Sequence, residues 1–187
     1  WRTIMSFTIH NESTAPEAAR ETLTRAKAKY GFLPNLLGVM ANAPSVLQAY
    51  ANLGQSFDQS SFTPTERQIV LLATSYHNDC TYCVAAHSVI AGMQKVPQDV
   101  IAALREGRPL ADPKLQALRQ FTAETVLTRG WPSEAARNTF TAAGYGPQQM
   151  LEVVLGVTMK TLSNYVNHQA ETPLDPAFGG AAWTKAA

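Results

Sequence analysis

Only two cysteines occur in this chain of 187 residues, and they stand three apart with a histidine four positions beyond: Cys80-Thr81-Tyr82-Cys83-Val84-Ala85-Ala86-His87. If these groups act together, the segment must be helical. An advance of about 100° per residue places Cys80, Cys83 and His87 on one side of a helix, one turn apart. The sequence around them supports that conformation. Thr63, Pro64 and Glu66 form a capping box with proline at the first helical position. The apolar run Ile69 to Ala73 follows and gives way to His77-Asn78-Asp79. Asn and Asp cap helix N-termini with their side-chain oxygens, so a second helix is predicted to open with Cys80 in its first turn. Free backbone N–H groups and the positive end of the helix dipole favour a thiolate there. Thr63 to Met93 is thus a helix, a short break and a second helix, against which the rest of the chain must pack.

The remaining segments are helical as well. After an extended Phe7-Thr8-Ile9, Thr14 and Glu17 form a capping box for a helix that turns Leu23, Ala26 and Tyr30 inward and stops at Gly31. Pro34 and Pro44 each begin a helix, the first running to about Ala41 and the second to about Phe57. Pro97 opens a short helix ending near Gly107, and Asp112-Pro113 opens one carrying Leu115, Leu118 and Phe121. Gly130-Trp131-Pro132 breaks it, and Ser133 with Glu134 starts another that ends at Gly144. From Pro147 a long helix presents Met150, Val153, Val154, Val157, Thr161 and Tyr165 as its stripe, with Leu151, Leu155 and Leu162 off it. A helix apolar on most of its circumference is buried against several neighbours or in a subunit interface. The tail from Thr172 is irregular, anchored by Phe178 and Trp183. No segment alternates with period 2, and the predicted class is all-α. Residues 1–62 form an N-terminal arm and helices, and residues 63–187 the core with its long helix and tail, as one structural unit.

With 15 Lys and Arg against 14 Asp and Glu and no run of either sign, the chain has no electrostatic footprint for nucleic acid or an anionic membrane. No apolar stretch reaches the roughly 18 to 20 residues that span a bilayer. The first six residues lack a signal-peptide core, Met5 reads as a natural start, and the cytoplasm is the expected compartment. A Cys-x-x-Cys pair there is catalytic or metal-binding more often than a structural staple.

Thiol-dependent peroxide reduction needs an attacking thiolate, a proton donor for the leaving oxygen and a second thiol to resolve the sulfenic acid. Cys80, Cys83 and His87 supply these roles. His87 follows Cys83 by one turn, which favours Cys83 as the attacking thiolate and Cys80 as the resolving one; the opposite assignment follows if the helix end activates Cys80. Two other readings stand beside this one. The cysteines can be inert small hydrophobes, or Cys80, Cys83, His87 and His77 can ligate zinc, although structural zinc sites usually tie distant segments together. His168 reads as a satisfied buried or interface histidine and His10 as solvated.

At these residues the chain resembles the AhpD-like alkylhydroperoxidases of the carboxymuconolactone decarboxylase family, and most of all their peroxidase-related branch. The resemblance runs through Gly31-Phe32-Leu33-Pro34-Asn35-Leu36-Leu37, the segment from Thr63 to Gly92, and Asn164-Tyr165-Val166-Asn167-His168 to Thr172-Pro173-Leu174-Asp175. It implies an all-helical fold assembled as trimers or hexamers, and reduction of organic hydroperoxides by a redox pair corresponding to Cys80 and Cys83, with His87. It also implies recycling by a dithiol or protein-thiol partner, with no metal and no organic cofactor.

One departure bears on mechanism. The family's peroxidases carry a relay glutamate twelve residues before the first cysteine, and here that position is Gln68. Glutamine keeps the hydrogen-bonding geometry but accepts no proton. Glu66, about 200° round the helix from Gln68, points away, whereas His77 is a candidate substitute. The expected function is therefore a thiol peroxidase. A redox-sensing or scaffold oligomer with little turnover follows if Gln68 has removed a needed base, and a non-redox lyase or isomerase follows if His87 works alone.

Overall fold

The computed structural model describes residues 6–185; Met5 lies outside them. Among the described residues nine α-helices follow one another: α1 (Glu17–Tyr30), α2 (Asn35–Met40), α3 (Pro44–Asp58), α4 (Pro64–His77), α5 (Thr81–Met93), α6 (Gln98–Arg105), α7 (Pro113–Leu127), α8 (Glu134–Ala142) and α9 (Pro147–Ala170). A 3-10 turn over Pro176–Ala181 ends the series. No strand occurs among the described residues, and none of their helices is long and apolar enough to cross a membrane.

N-cap side chains hold three of the nine helix starts. Thr63 and Glu66 complete their reciprocal box, Asp112 accepts from the N–H groups of Lys114 and Leu115, and Ser133 accepts from that of Ala136. The Thr14–Glu17 box does not form. Asn11 uses its Oδ1 to accept from Ser13 and Thr14, the Thr14 hydroxyl accepts from the Asn11 N–H, and α1 starts only after Pro16. A local Asx turn has taken the groups that a cap needs. Pro34 and Pro97 sit one position before their helices, with ψ of 135° and 137°, so they are caps rather than first helical residues.

α4 is the central helix, packed on α5, α7 and α9. One core gathers Phe57, Ile69, Val70, Leu72, Leu118, Phe140 and Val153. A second holds Leu23, Leu36, Met40 and Leu47 together with Cys80, Cys83 and Phe178. The N-terminal helices therefore form one wall around the cysteine pair. Their leading arm lies along α2, where the His10 N–H donates to Gly38 O at 3.1 Å, and a Cβ at Gly38 would meet His10 O at 2.6 Å. His10 is accordingly half-buried rather than solvated, with its Nδ1 enclosed and unpartnered.

The tail is more ordered than expected. Phe178 packs edge-on against Phe32 and Tyr82, and Trp183 Nε1 donates to Arg105 O at 2.7 Å. Asp175 is buried, accepting from the Tyr82 hydroxyl and from the first N–H of α2 at 3.0 Å. It caps α2 and ties the tail to α5 next to Cys83.

α9 departs most from the sequence-based expectation. Of the predicted stripe, Val154 and Tyr165 are exposed, as is Leu151. The buried face is Val153, Gly156, Met159, Lys160, Ser163, Asn164 and Asn167. Gly156 sets this rotation: a Cβ there would lie 2.7 Å from both the Phe57 ring and Val70, so the helix turns its glycine towards α3 and α4 to reach them.

Candidate active site at the helix break

α4 ends at Asn78, and Asp79 takes a left-handed conformation with φ of 53°. Asn78 spends its side-chain amide on Asn164 Oδ1, 2.9 Å away, while the Cys80 N–H closes the end of α4 on Ser75 O at 3.0 Å. Asn78 and Asp79 thus terminate one helix instead of capping the next. Cys80 itself is the N-cap residue of α5, not a first-turn residue, and its carbonyl receives the first helical bond, from Val84.

Both sulfurs are buried, each residue 1% exposed, and both thiols are free. Asn167 on α9 donates its amide to Cys83 Sγ at 3.2 Å and approaches Cys80 Sγ at 3.8 Å. The Ser163 hydroxyl lies 3.9 Å from Cys83 Sγ. Burial by itself would hold the Cys83 thiol up, but a hydrogen bond from Cys80, the charge of Lys160 and contacts from Asn164 and Ser163 outweigh it and favour the thiolate. Cys80 moves the opposite way, raised by its hydrogen bond to Cys83 and by burial. Within the pair the thiolate is favoured on Cys83 and disfavoured on Cys80.

His87 is clamped from both sides. The Gln68 amide is oriented by its own donation to Gln94 Oε1 at 3.1 Å, so Gln68 Oε1 accepts from His87 Nδ1–H at 3.0 Å. His87 Nε2 is then the acceptor for Lys160 Nζ, 2.8 Å away. Burial, with the Lys160 charge behind it, drives His87 far below its ordinary range, and the ring is neutral. Lys160 is 1% exposed. Burial opposes its charge, but the neighbouring Cys83 sulfur, Tyr50, Cys80 and Tyr30 raise it above the ordinary lysine range. The positive charge beside Cys83 is lysine, not imidazolium.

A cavity of about 470 Å³ opens onto these groups. Cys83, His87 and Lys160 lie at its inner end; Phe32, Leu37, Tyr82 and Phe178 form its walls. The exposed lining residues Lys29, Tyr30 and Met93 mark its mouth. No Asp or Glu is among the described residues that line it. The arrangement offers an apolar organic molecule a path to one activated sulfur.

The fold brings together Cys80, Cys83, His87 and Gln68, but not His77. That ring stands against Tyr76, and burial with the charges of Arg119 and Lys185 lowers its basicity; it makes no hydrogen bond to either cysteine. The zinc reading thereby lacks its fourth ligand, and the described residues contain no cluster of three or more His, Cys, Asp or Glu able to hold a metal ion. Glu66 points away as expected, accepting from the Tyr145 hydroxyl at 2.7 Å. His168 is exposed, not buried, and lies near the Tyr165 ring. Sequence reasoning missed Lys160 and the sulfur-binding roles of Ser163, Asn164 and Asn167. Their spacing of i, i+3, i+4 and i+7 was a visible polar stripe, and Lys160 and Glu152 are the only Lys, Arg, Asp or Glu residues in α9.

Comparison with known proteins finds relatives of the fold. Residues 44–124, from α3 into α7, match the carboxymuconolactone decarboxylase family. The chain shares its fold with an AhpD-core, peroxidase-related protein of Ralstonia eutropha JMP134 (TM-score 0.80, 20% identity, 95% of this chain and 96% of that one). It shares it equally with the debrominase Bmp8, solved as a cysteine-to-alanine variant in complex with 2,3,4-tribromopyrrole (TM-score 0.79, 19% identity, 96% of each chain). A peroxidase-related protein of Silicibacter sp. TM1040 is a third (TM-score 0.79, 18% identity, 95% and 94%). No curated protein matches in sequence. The chain has the AhpD-like all-helical fold of these structures, and its segment 44–124 is the part that matches the family. The family segment ends before α9, so Lys160 and Asn167 lie outside it.

Proposed function

We propose that the protein is a thiol peroxidase that reduces organic hydroperoxides, with Cys83 as the attacking thiolate and Cys80 as the resolving thiol. The observation that carries this reading is the setting of the pair: Cys83 lines an apolar cavity together with Lys160 and takes the Asn167 amide on its sulfur at 3.2 Å, surroundings that favour its thiolate over that of Cys80. Thiolate attack on the terminal peroxide oxygen gives a Cys83 sulfenic acid, and Cys80 displaces water from it to form the disulfide. A dithiol or protein thiol then restores both cysteines, which suits a reducing compartment such as the cytoplasm. Gln68 holds His87 in one tautomer, and the enzyme works as a homo-oligomer, a trimer or hexamer.

A second reading is reductive dehalogenation of an aromatic, favoured by the aromatic cavity walls and by the debrominase that shares the fold. One assay separates the readings. Wild type and the Cys80→Ser/Cys83→Ser double variant are given cumene hydroperoxide or a bromopyrrole with excess dithiothreitol, and product is counted per subunit. Many turnovers of the peroxide by wild type alone are expected. Bromide release without peroxide turnover would transfer the proposal to the halide. A single equivalent consumed would leave a redox sensor, and activity surviving in the double variant would indicate a lyase or isomerase.

A further inference from the structure

Resting on the peroxidase reading, we propose that Lys160 is the proton donor to the leaving alkoxide, replacing the carboxylate relay that Gln68 cannot provide. The hydrogen-bond directions support this assignment. Gln68 accepts from His87 Nδ1–H, so His87 presents Nε2 only as an acceptor, and that acceptor is taken by Lys160. A neutral ring in this state has no proton facing the cavity. Lys160 has three donors and spends one on His87, with its remaining N–H groups at the inner end of the cavity that also exposes Cys83. No carboxylate is among the described residues that line that cavity, and the Cys83 sulfur is foremost among the groups that favour the charge of the fully buried ammonium. Cation and anion each hold the other in the form that reacts.

The step balances without a further reactant. The Cys83 thiolate bonds to the terminal oxygen of ROOH, the O–O bond breaks, and its electron pair leaves on RO⁻. Lys160 gives RO⁻ a proton, yielding ROH and a neutral amine. The Cys80 thiol attacks the Cys83 sulfenic acid, its proton leaving with the hydroxyl as water as the S–S bond forms. When a dithiol reduces the disulfide, one of its two protons returns to Cys80 and the other to Lys160, and Cys83 is again a thiolate. The preferred substrates follow: alkyl hydroperoxides, whose alkoxides are poor leaving groups and need the proton.

The test uses two peroxides that differ in that need. tert-Butyl hydroperoxide expels an alkoxide; 3-chloroperbenzoic acid expels a carboxylate, which leaves without protonation. Rates are measured for wild type, Lys160→Met and Lys160→Arg in the Cys80→Ser background. They are corrected for the thiolate fraction found from the pH dependence of iodoacetamide alkylation, and folding is checked by circular dichroism. Lys160→Met is expected to raise the alkylation midpoint towards that of an ordinary thiol. Its thiolate-corrected rate should fall on the order of 10²- to 10⁴-fold with the alkyl hydroperoxide and less than about tenfold with the peracid. Lys160→Arg keeps the charge on a group that does not deprotonate, so the midpoint should stay low while the alkyl hydroperoxide rate still falls. An unshifted midpoint in Lys160→Met, or equal losses with both peroxides, overturns the assignment. A wild type inert to both peroxides overturns the peroxidase reading and the proton step with it; an active wild type with unaffected lysine variants overturns the proton step alone.

Discussion

Gln68 and Lys160 hold His87 from opposite sides, and the charge they leave at its two nitrogens decides what the ring can do. A carboxylate in place of the Gln68 amide would sit about 3 Å from Nδ1 and share the field of Lys160. It would add negative charge across the ring from Lys160 and draw on the cation that favours the Cys83 thiolate. The sign is therefore opposite to the expectation that Gln68→Glu supplies a missing base. The thiolate loses part of its stabilisation, and the acid limb of Cys83 alkylation should move up by on the order of one pH unit. At pH values below that limb, reactivity should drop, on the order of tenfold per unit. His77→Ala should leave the limb where it is, because His77 touches neither sulfur. Iodoacetamide kinetics against pH in both variants check this. A Gln68→Glu limb that stays in place, with turnover raised, would instead restore the carboxylate relay.

Among the elements, α4 and α9 show how far the sequence could be read. Thr63, Pro64 and Glu66 satisfy each other within one turn, so local chemistry fixed the start of α4 and the whole capping box could be read in advance. That Cys83 and His87 line the same cavity is likewise a property of one helix, and their spacing is enough. α9 has apolar residues on several sides, and its rotation is settled by a non-local contact, Gly156 against Phe57 and Val70, which its apolar periodicity does not reveal. Lys160 was missed for that reason: its meaning comes from α4 and α5, not from α9. The same rotation leaves Leu151, Val154 and Tyr165 exposed at 72%, 48% and 57% along one side of the helix. Apolar side chains ranged along one helix mark an association surface, and a second copy of the chain is the expected occupant. Sedimentation should show a trimer or hexamer at micromolar concentration, and Leu151→Glu with Tyr165→Glu should reduce its size. A monomeric wild type would contradict this.

At the scale of the whole molecule, the N-terminal helices, α5, α9 and the tail enclose one thiolate that no single element could hold. α5 and its N-cap residue supply the two sulfurs and the histidine, α4 the glutamine, α9 the lysine and the amide on Cys83, and α1 to α3 with Phe178 the apolar walls of the cavity. This division of labour makes the two cysteines unequal even though they are equally buried. The inequality is tested most directly by trapping the first covalent product. Each single variant, Cys80→Ser and Cys83→Ser, is mixed with one equivalent of cumene hydroperoxide and dimedone, and the adduct is read by mass spectrometry of the peptide spanning residues 68–95. The expected result is a dimedone adduct on Cys83 in Cys80→Ser and none in Cys83→Ser; an adduct on Cys80, or none in either variant, would contradict it.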